Sequence, residues 1–196
     1  MFAYIVGKLA HKEPSFAIIE ANGVGYEIRI SLQTYGVLPM IEERCKLFTF
    51  FNVREDAHLL YGFSELREKY LFQHLTSVSG IGPATALIML SSLSTDEINS
   101  AIVNEDIKSI QSIKGIGSKT AQRIILELKD RIQKENLLTS SPIVVDKSSN
   151  MKRAEALAAL ITLGIARPVA EKSLDAIIKK EGSDISIEQM IKLALR

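Results

Sequence analysis

Residues 112–124 read SIKGIGSKTAQRI, and residues 77–89 read SVSGIGPATALIM. Over their first ten positions the two segments share Ser, Gly, Ile, Gly, Thr and Ala. In each, two glycines flank one isoleucine and a stretch of helical character follows. The first glycine supplies a positive φ that other residues resist, and so bends the chain. Two readings of such a turn stand side by side. In one it only joins two packed helices, with Gly80 and Gly115 turning the chain while Ile81 and Ile116 fill the core. In the other, the second glycine uncovers backbone at the mouth of the next helix. Free N–H groups there, aided by the helix dipole, form a site for one phosphate oxygen. Two copies would hold two phosphates at a fixed spacing, and they are too few for a solenoid. Nucleotide loops fit poorly. A Walker loop needs glycine directly before Lys-Thr, where Ser118 stands, and the dinucleotide pattern needs a third glycine, where Thr85 and Thr120 stand.

Working outward, the pattern is helical from Ser64 to about Glu135. SELREKYLFQHLTSV places Leu66, Tyr70, Leu71, Leu75 and Val78 on one stripe behind Ser64 as N-cap. A helix is expected from Pro83 to Ser92, with proline suited to its first turn. Ser94 and Glu97 have capping-box spacing. Short helices are expected around 105–111, and a long one over 118–135.

Before this region, five runs rich in β-branched and aromatic residues read as strands: FAYIVGKLA, SFAIIEA, VGYEIRIS, KLFTFFNVR and LLYGF. Asn22-Gly23 suits a two-residue hairpin turn. Five short strands in some sixty residues fit a closed barrel of the oligonucleotide/oligosaccharide-binding (OB) kind, with an SH3-like barrel as the alternative. After Glu135, NLLTSSPIVVDKSSN (136–150) has no helical or strand periodicity and reads as a flexible linker. Three short helices close the chain, with Gly164 and Gly182 as stops, Pro168 as a start, and Ser186/Gln189 as a second capping box. The expected fold is therefore α+β and multidomain. It comprises a barrel over 1–63, a helical domain over 64–135, a linker over 136–150 and a small three-helix domain over 151–196.

With 24 basic against 23 acidic residues in 196, the chain is near neutrality, so bulk charge gives no argument for a polyanionic partner. Affinity for nucleic acid must come from local charge or from backbone groups. One cysteine, Cys45, and three scattered histidines argue against a disulfide framework or a metal site. No apolar run reaches membrane-spanning length and the N-terminus carries no secretory pattern, which points to the cytoplasm. No nucleophile elbow, ligand cluster or Walker loop is present, so neither catalysis nor a cofactor is expected. Two rivals are a nuclease or glycosylase that uses the turns for grip, and a single-strand-binding barrel stacking bases on Phe48, Phe50 and Phe51, against which strand alternation is expected to put at least some of these rings in the barrel core.

The paired SGIGPATA and KGIGSKTA resemble tandem helix-hairpin-helix motifs. Together with the barrel segment FNVREDAHLLYGF, they make the whole chain resemble the RuvA family, the junction-binding subunits of the bacterial branch-migration machine. The resemblance implies a homotetramer, with an octamer as a further form, that holds an open, square four-way (Holliday) junction without regard to sequence. It assigns DNA-backbone binding to Gly80, Gly82, Ala84 and Thr85 in the first hairpin. In the second it assigns that role to Gly115, Gly117, Ser118, Lys119, Thr120 and Arg123. It makes Glu55 and Asp56, beside Arg54, an acidic pin; residues of this kind otherwise read as a solvated hairpin tip. Ala84 and Ser118 stand where lysine is frequent in the family, which shifts the first hairpin's grip toward main-chain donors.

The resemblance also implies partners: the hexameric ATPase RuvB, gripped by the tail, and the resolvase RuvC. Leu160, Leu163, Ile177, Ile178, Ile191 and Leu193 are the tail residues considered for the motor. As a helical apolar stripe, most of them are expected in the tail's own core.

Overall fold

The structure, a computed structural model, describes residues 2–55, 57–139, 147–182 and 185–195. It divides into two compact units, 1–135 and 136–196.

The first unit begins with strands β1 (Tyr4–Glu13), β2 (Phe16–Ala21), β3 (Val24–Ile30), β4 (Arg44–Val53) and β5 (His58–Phe63). They close into a barrel in the order β1-β2-β3-β5-β4, with β3 and β5 parallel and every other pair antiparallel. Closure pairs every edge, which is how so small a sheet avoids open strands. Asn22 (φ 52°) and Gly23 (φ 79°) make the expected tight turn between Ala21 and Val24. Ile5, Leu9, Ala17, Ile19, Ile28, Ile30, Cys45 and Leu47 fill the interior. Burial pushes the Cys45 thiol pKa up, against a smaller opposing pull from the Lys12 charge. The strand alternation puts Cys45, Leu47 and Thr49 inside, so Phe48 and Phe50 face outward. Phe50 packs instead on the helical core, and Phe51 lies half-buried at the barrel's end. None of the three phenylalanines enters the buried barrel core.

Between β3 and β4 runs a helix that the sequence pattern did not suggest, α1 (Leu32–Val37), capped by Ser31, whose Oγ accepts from the Thr34 N–H. Then follow α2 (Leu66–Ser77), α3 (Pro83–Ser92), α4 (Thr95–Val103), α5 (Ile107–Gln111) and α6 (Ser118–Thr139). The N-cap of α2 is Glu65 and not Ser64, whose N–H is committed to Thr34 Oγ1 at 3.0 Å. The buried face of α2 is also rotated from the expected stripe. Glu68, Leu71, Phe72 and Leu75 are buried, whereas Leu66 and Tyr70 are exposed. The reason is polar: the Glu68 carboxylate accepts from Ser31 Oγ (2.5 Å) and Thr34 Oγ1 (2.7 Å), so this acid can lie inside. Beside it, Phe72 meets Phe50, Tyr61 and Phe63 at ring distances of 5.4, 5.1 and 4.9 Å. One core thus continues from the outer face of β5 into both glycine turns. The Ser94/Glu97 capping box forms as expected.

The second unit comprises α7 (Lys147–Thr162), α8 (Arg167–Glu181) and α9 (Ile187–Ala194) around Ala156, Leu160, Ala170, Leu174 and Met190. Gly182 is the C-cap of α8, and Ser186 with Gln189 forms the capping box of α9. Helices enter the expected linker from both ends, α6 reaching Thr139 and α7 starting at Lys147. The middle of that linker, 140–146, lies outside the described residues.

Candidate nucleic-acid interface

The two glycine turns are the same structure built twice. Gly80 has φ 93° and Gly115 φ 88°. The Ile81 N–H donates to Val78 O and the Ile116 N–H to Ile113 O, both at 3.0 Å. Ile81 and Ile116 are buried, as are Val78, Ile113, Ala86 and Ala121, so each turn is pinned from inside. The next helix opens in each case with one bond, Ala86 N–H to Gly82 O at 3.0 Å and Ala121 N–H to Gly117 O at 2.9 Å. Every paired position differs by the repeat offset seen in the sequence. The structural role expected of Gly80, Gly115, Ile81 and Ile116 is therefore real, and it accounts for half of the motif.

The other half is the second glycine. Gly82 has φ −87°, a value open to any residue, and Gly117 does not lie in the left-handed region either. A Cβ built on either would meet nothing within 4 Å. Neither backbone conformation nor internal packing calls for glycine at these two positions. What a side chain there would cover is the helix mouth. Residues 84 and 85 lead α3 and residues 118, 119 and 120 lead α6, ahead of the first bonded amides at Ala86 and Ala121. Unpaired N–H groups on a helix's first turn, with the positive end of its dipole behind them, are donors for an anion. Gly117, Ser118 and Lys119 are exposed, Thr120 half-buried, Ala84 exposed and Thr85 half-buried. Among the described residues no group pairs with the Lys119 ammonium. Arg123, one turn further, is exposed, but its Nε donates to Glu127 Oε1 at 2.7 Å, so its charge is already shared.

β4 and β5 form a hairpin closed by the Arg54 N–H on Ala57 O at 2.9 Å. Arg54 and Glu55 are exposed on its tip. Asp56 lies outside the described residues.

In the second unit Leu160 is fully buried and Ile178 and Ile191 pack against the same core. Leu163 and Leu193 are exposed, at 61% and 36%, and Ile177 is half-buried. The six tail residues therefore divide between core and surface.

What the sequence reading missed is the polar link through Ser31, Thr34 and Glu68, together with Leu32 N–H on Ser91 Oγ at 3.1 Å. It joins the barrel to α2 and α3, and so fixes the first hairpin relative to the barrel. The signal was present as Ser31 three residues before Thr34, an N-cap pattern hidden in a short element. Burial drives the Glu68 pKa up, against the hydrogen bonds from Ser31, Thr34 and Ser64. Among the described residues no cluster of His, Cys, Asp or Glu is arranged to hold a metal ion, and no helix is long and apolar enough to cross a membrane.

Comparison with known proteins bears on the whole length. The family model described as RuvA N terminal domain matches residues 1–62, that described as SAM-like helix-hairpin-helix tandem matches 72–130, and that described as RuvA, C-terminal domain matches 152–196. A relative from Cytophaga hutchinsonii, named Holliday junction branch migration complex subunit RuvA, is 53% identical over 198 residues, covering 100% of this chain and 99% of its own. Proteins of the same name from Amoebophilus asiaticus and Pseudomonas aeruginosa are 45% and 40% identical, each across 100% of this chain and 100% and 98% of their own.

Proposed function

The chain belongs to the RuvA family of Holliday junction branch migration complex subunits, and from that premise we propose that it binds four-way junction DNA by its phosphates and hands the junction to a separate motor. The observation that carries this reading is the pair of helix mouths at which the second glycines, Gly82 and Gly117, are required neither by a positive φ nor by close packing and leave the first-turn amides uncovered. Amide donors at those mouths take phosphate oxygens, and contacts of this kind position a nucleic acid without reading its bases. Gly80, Gly82, Ala84 and Thr85 form one phosphate site. Gly115, Gly117, Ser118, Lys119 and Thr120 form the other, where the Lys119 ammonium adds charge to backbone donation. Arg123 joins this second site once it exchanges Glu127 for phosphate.

Glu55 and Asp56 act in the opposite sense. In a homotetramer with fourfold symmetry the four tips gather where the strands cross, and their field drives phosphates outward. Continuous duplex is disfavoured there, and an open square junction is not. A second layer of four subunits would sandwich the junction in an octamer.

The subunit performs no chemistry of its own in this reading. The ATPase is RuvB, engaged by the tail through exposed residues such as Leu163 and Leu193, and RuvC is the resolvase that shares the junction; all three act in the cytoplasm. The test is a gel-shift comparison of the full chain with its Glu55→Gln, Asp56→Asn double variant. The variant is expected to gain affinity for plain duplex more than for a four-way junction. Equal gains on both substrates would refute the repulsive role of the tip.

A further inference from the structure

The β4–β5 hairpin overhangs the barrel. The first residue of β1, Tyr4, pairs with Phe48, and Thr49 still bonds Ala3 O and Phe2 O, whereas from Phe50 to Val53 β4 is paired with β5 and not with β1. On the inward-facing register of this overhang sit Phe51 and His58, which follow the same alternation as Leu47 and Leu60. Their rings lie edge to face at 5.7 Å and 70°. Phe2 meets Phe51 at 5.7 Å and 81°, and Tyr26 at 6.3 Å and 64°. The four rings rim the barrel mouth at the root of the hairpin that carries Glu55.

A plug for the barrel would call only for buried apolar bulk. This rim is instead open: Phe2 is 45% exposed, His58 is exposed, and Val24 and Val53 at its margin are 52% and 60% exposed. Each edge-to-face contact occupies only one face of one ring, so the exposed Phe2 and His58 keep ring surface that a nucleobase can stack upon. An acid at the hairpin tip and aromatic rings at its root sort the two parts of a nucleotide, repelling phosphate and accepting base.

We propose that this rim, Phe2, Phe51 and His58 with Tyr26 behind them, is a stacking site for an unpaired nucleobase at the strand crossing. The inference rests on the junction-binding reading above and adds to it a site for bases. Bases that leave their partners during strand exchange would be held on the protein instead of in water, which lowers the cost of each step.

The experiment compares two synthetic four-way junctions, one fully paired to its crossing and one with mismatched thymines there. They are titrated with the full chain and with the Phe2→Leu, His58→Leu variant. Leucine keeps apolar bulk at the mouth and removes the ring faces. The wild type is expected to prefer the mismatched junction by about tenfold, roughly the effect of one base stacked on an aromatic ring. The variant is expected to lose that preference while its affinity for the paired junction and its Tm stay unchanged. As a second readout, 5-iodouracil at the crossing is expected to photocross-link to Phe2, Phe51 or His58. A preference that persists in the variant, or equal losses on both junctions, would overturn the stacking site, as would cross-links confined to the glycine turns. Wild-type protein that binds neither junction better than linear duplex would instead overturn the junction reading itself.

Discussion

Gly80 and Gly82 stand two positions apart and do unlike work, as do Gly115 and Gly117. The first of each pair holds a positive φ with open space around it, so a side chain there is opposed by backbone conformation alone. Gly80→Ala and Gly115→Ala should each destabilise the first unit by about 1 kcal/mol or more, which a denaturant melt would register as a lower midpoint at unchanged slope. Lys119 is different again, an exposed cation at a helix mouth. Lys119→Ala should weaken junction binding and reduce the slope of log affinity against log salt by about 0.9, the share of one phosphate contact. A slope equal to that of the wild type would remove Lys119 from the interface. The four glycines are legible in the sequence because the motif occurs twice and the copies can be superposed letter by letter, whereas Lys119 stands opposite Ala84 and is singled out by the family resemblance and its charge. It could not show that Arg123 is held by Glu127, since an i,i+4 pair is only one of several partners open to a long side chain.

Elements show where pattern reading fails and why. Strands, hairpin turn and capping boxes follow from local chemistry, and each formed where its residues predict. The face of α2 did not, because hydrophobic periodicity assigns a glutamate to water. Glu68 is instead buried by two hydroxyl donors more than thirty residues upstream, on an element too short to read. Its pKa is raised above the ordinary carboxylate value, chiefly by burial, so the folded state holds its proton more tightly than the unfolded chain. The penalty for the charged form is therefore present at neutral pH and relieved as pH falls through the folded pKa toward the unfolded one. Relative to Glu68→Gln, which cannot titrate, the wild type should gain stability over that window, as seen in Tm measured against pH. Parallel curves would mean that Glu68 does not titrate in the fold. Phe72 lies on the same buried face and links three aromatic residues of the barrel to the helices. Phe72→Ala is expected to cost about 3–5 kcal/mol in chemical denaturation.

At the scale of the whole molecule, barrel and hairpins share a continuous core, while the tail closes its own core around Leu160, Leu174 and Met190. The proposed grip on DNA and the proposed contact with a motor then fall on different units. A chain ending at Thr139 should retain junction binding in a gel shift and lose RuvB-driven migration; migration that survived would place the motor contact elsewhere. Partners and symmetry are the part of the account least written in a single chain, because they depend on surfaces whose complements lie on other molecules. Gly82 and Gly117 keep two helix mouths open to DNA, and the affinity of a Gly82→Ala, Gly117→Ala variant for a four-way junction, taken with its Tm, tests that role. The expected result is a Tm lowered only by the modest cost of alanine at two helix N-caps, with the protein still folded, and an affinity lower by about tenfold or more, the loss of charge-assisted bonds at two helix mouths. Unchanged affinity in the folded variant would show that the two glycines do not serve DNA binding.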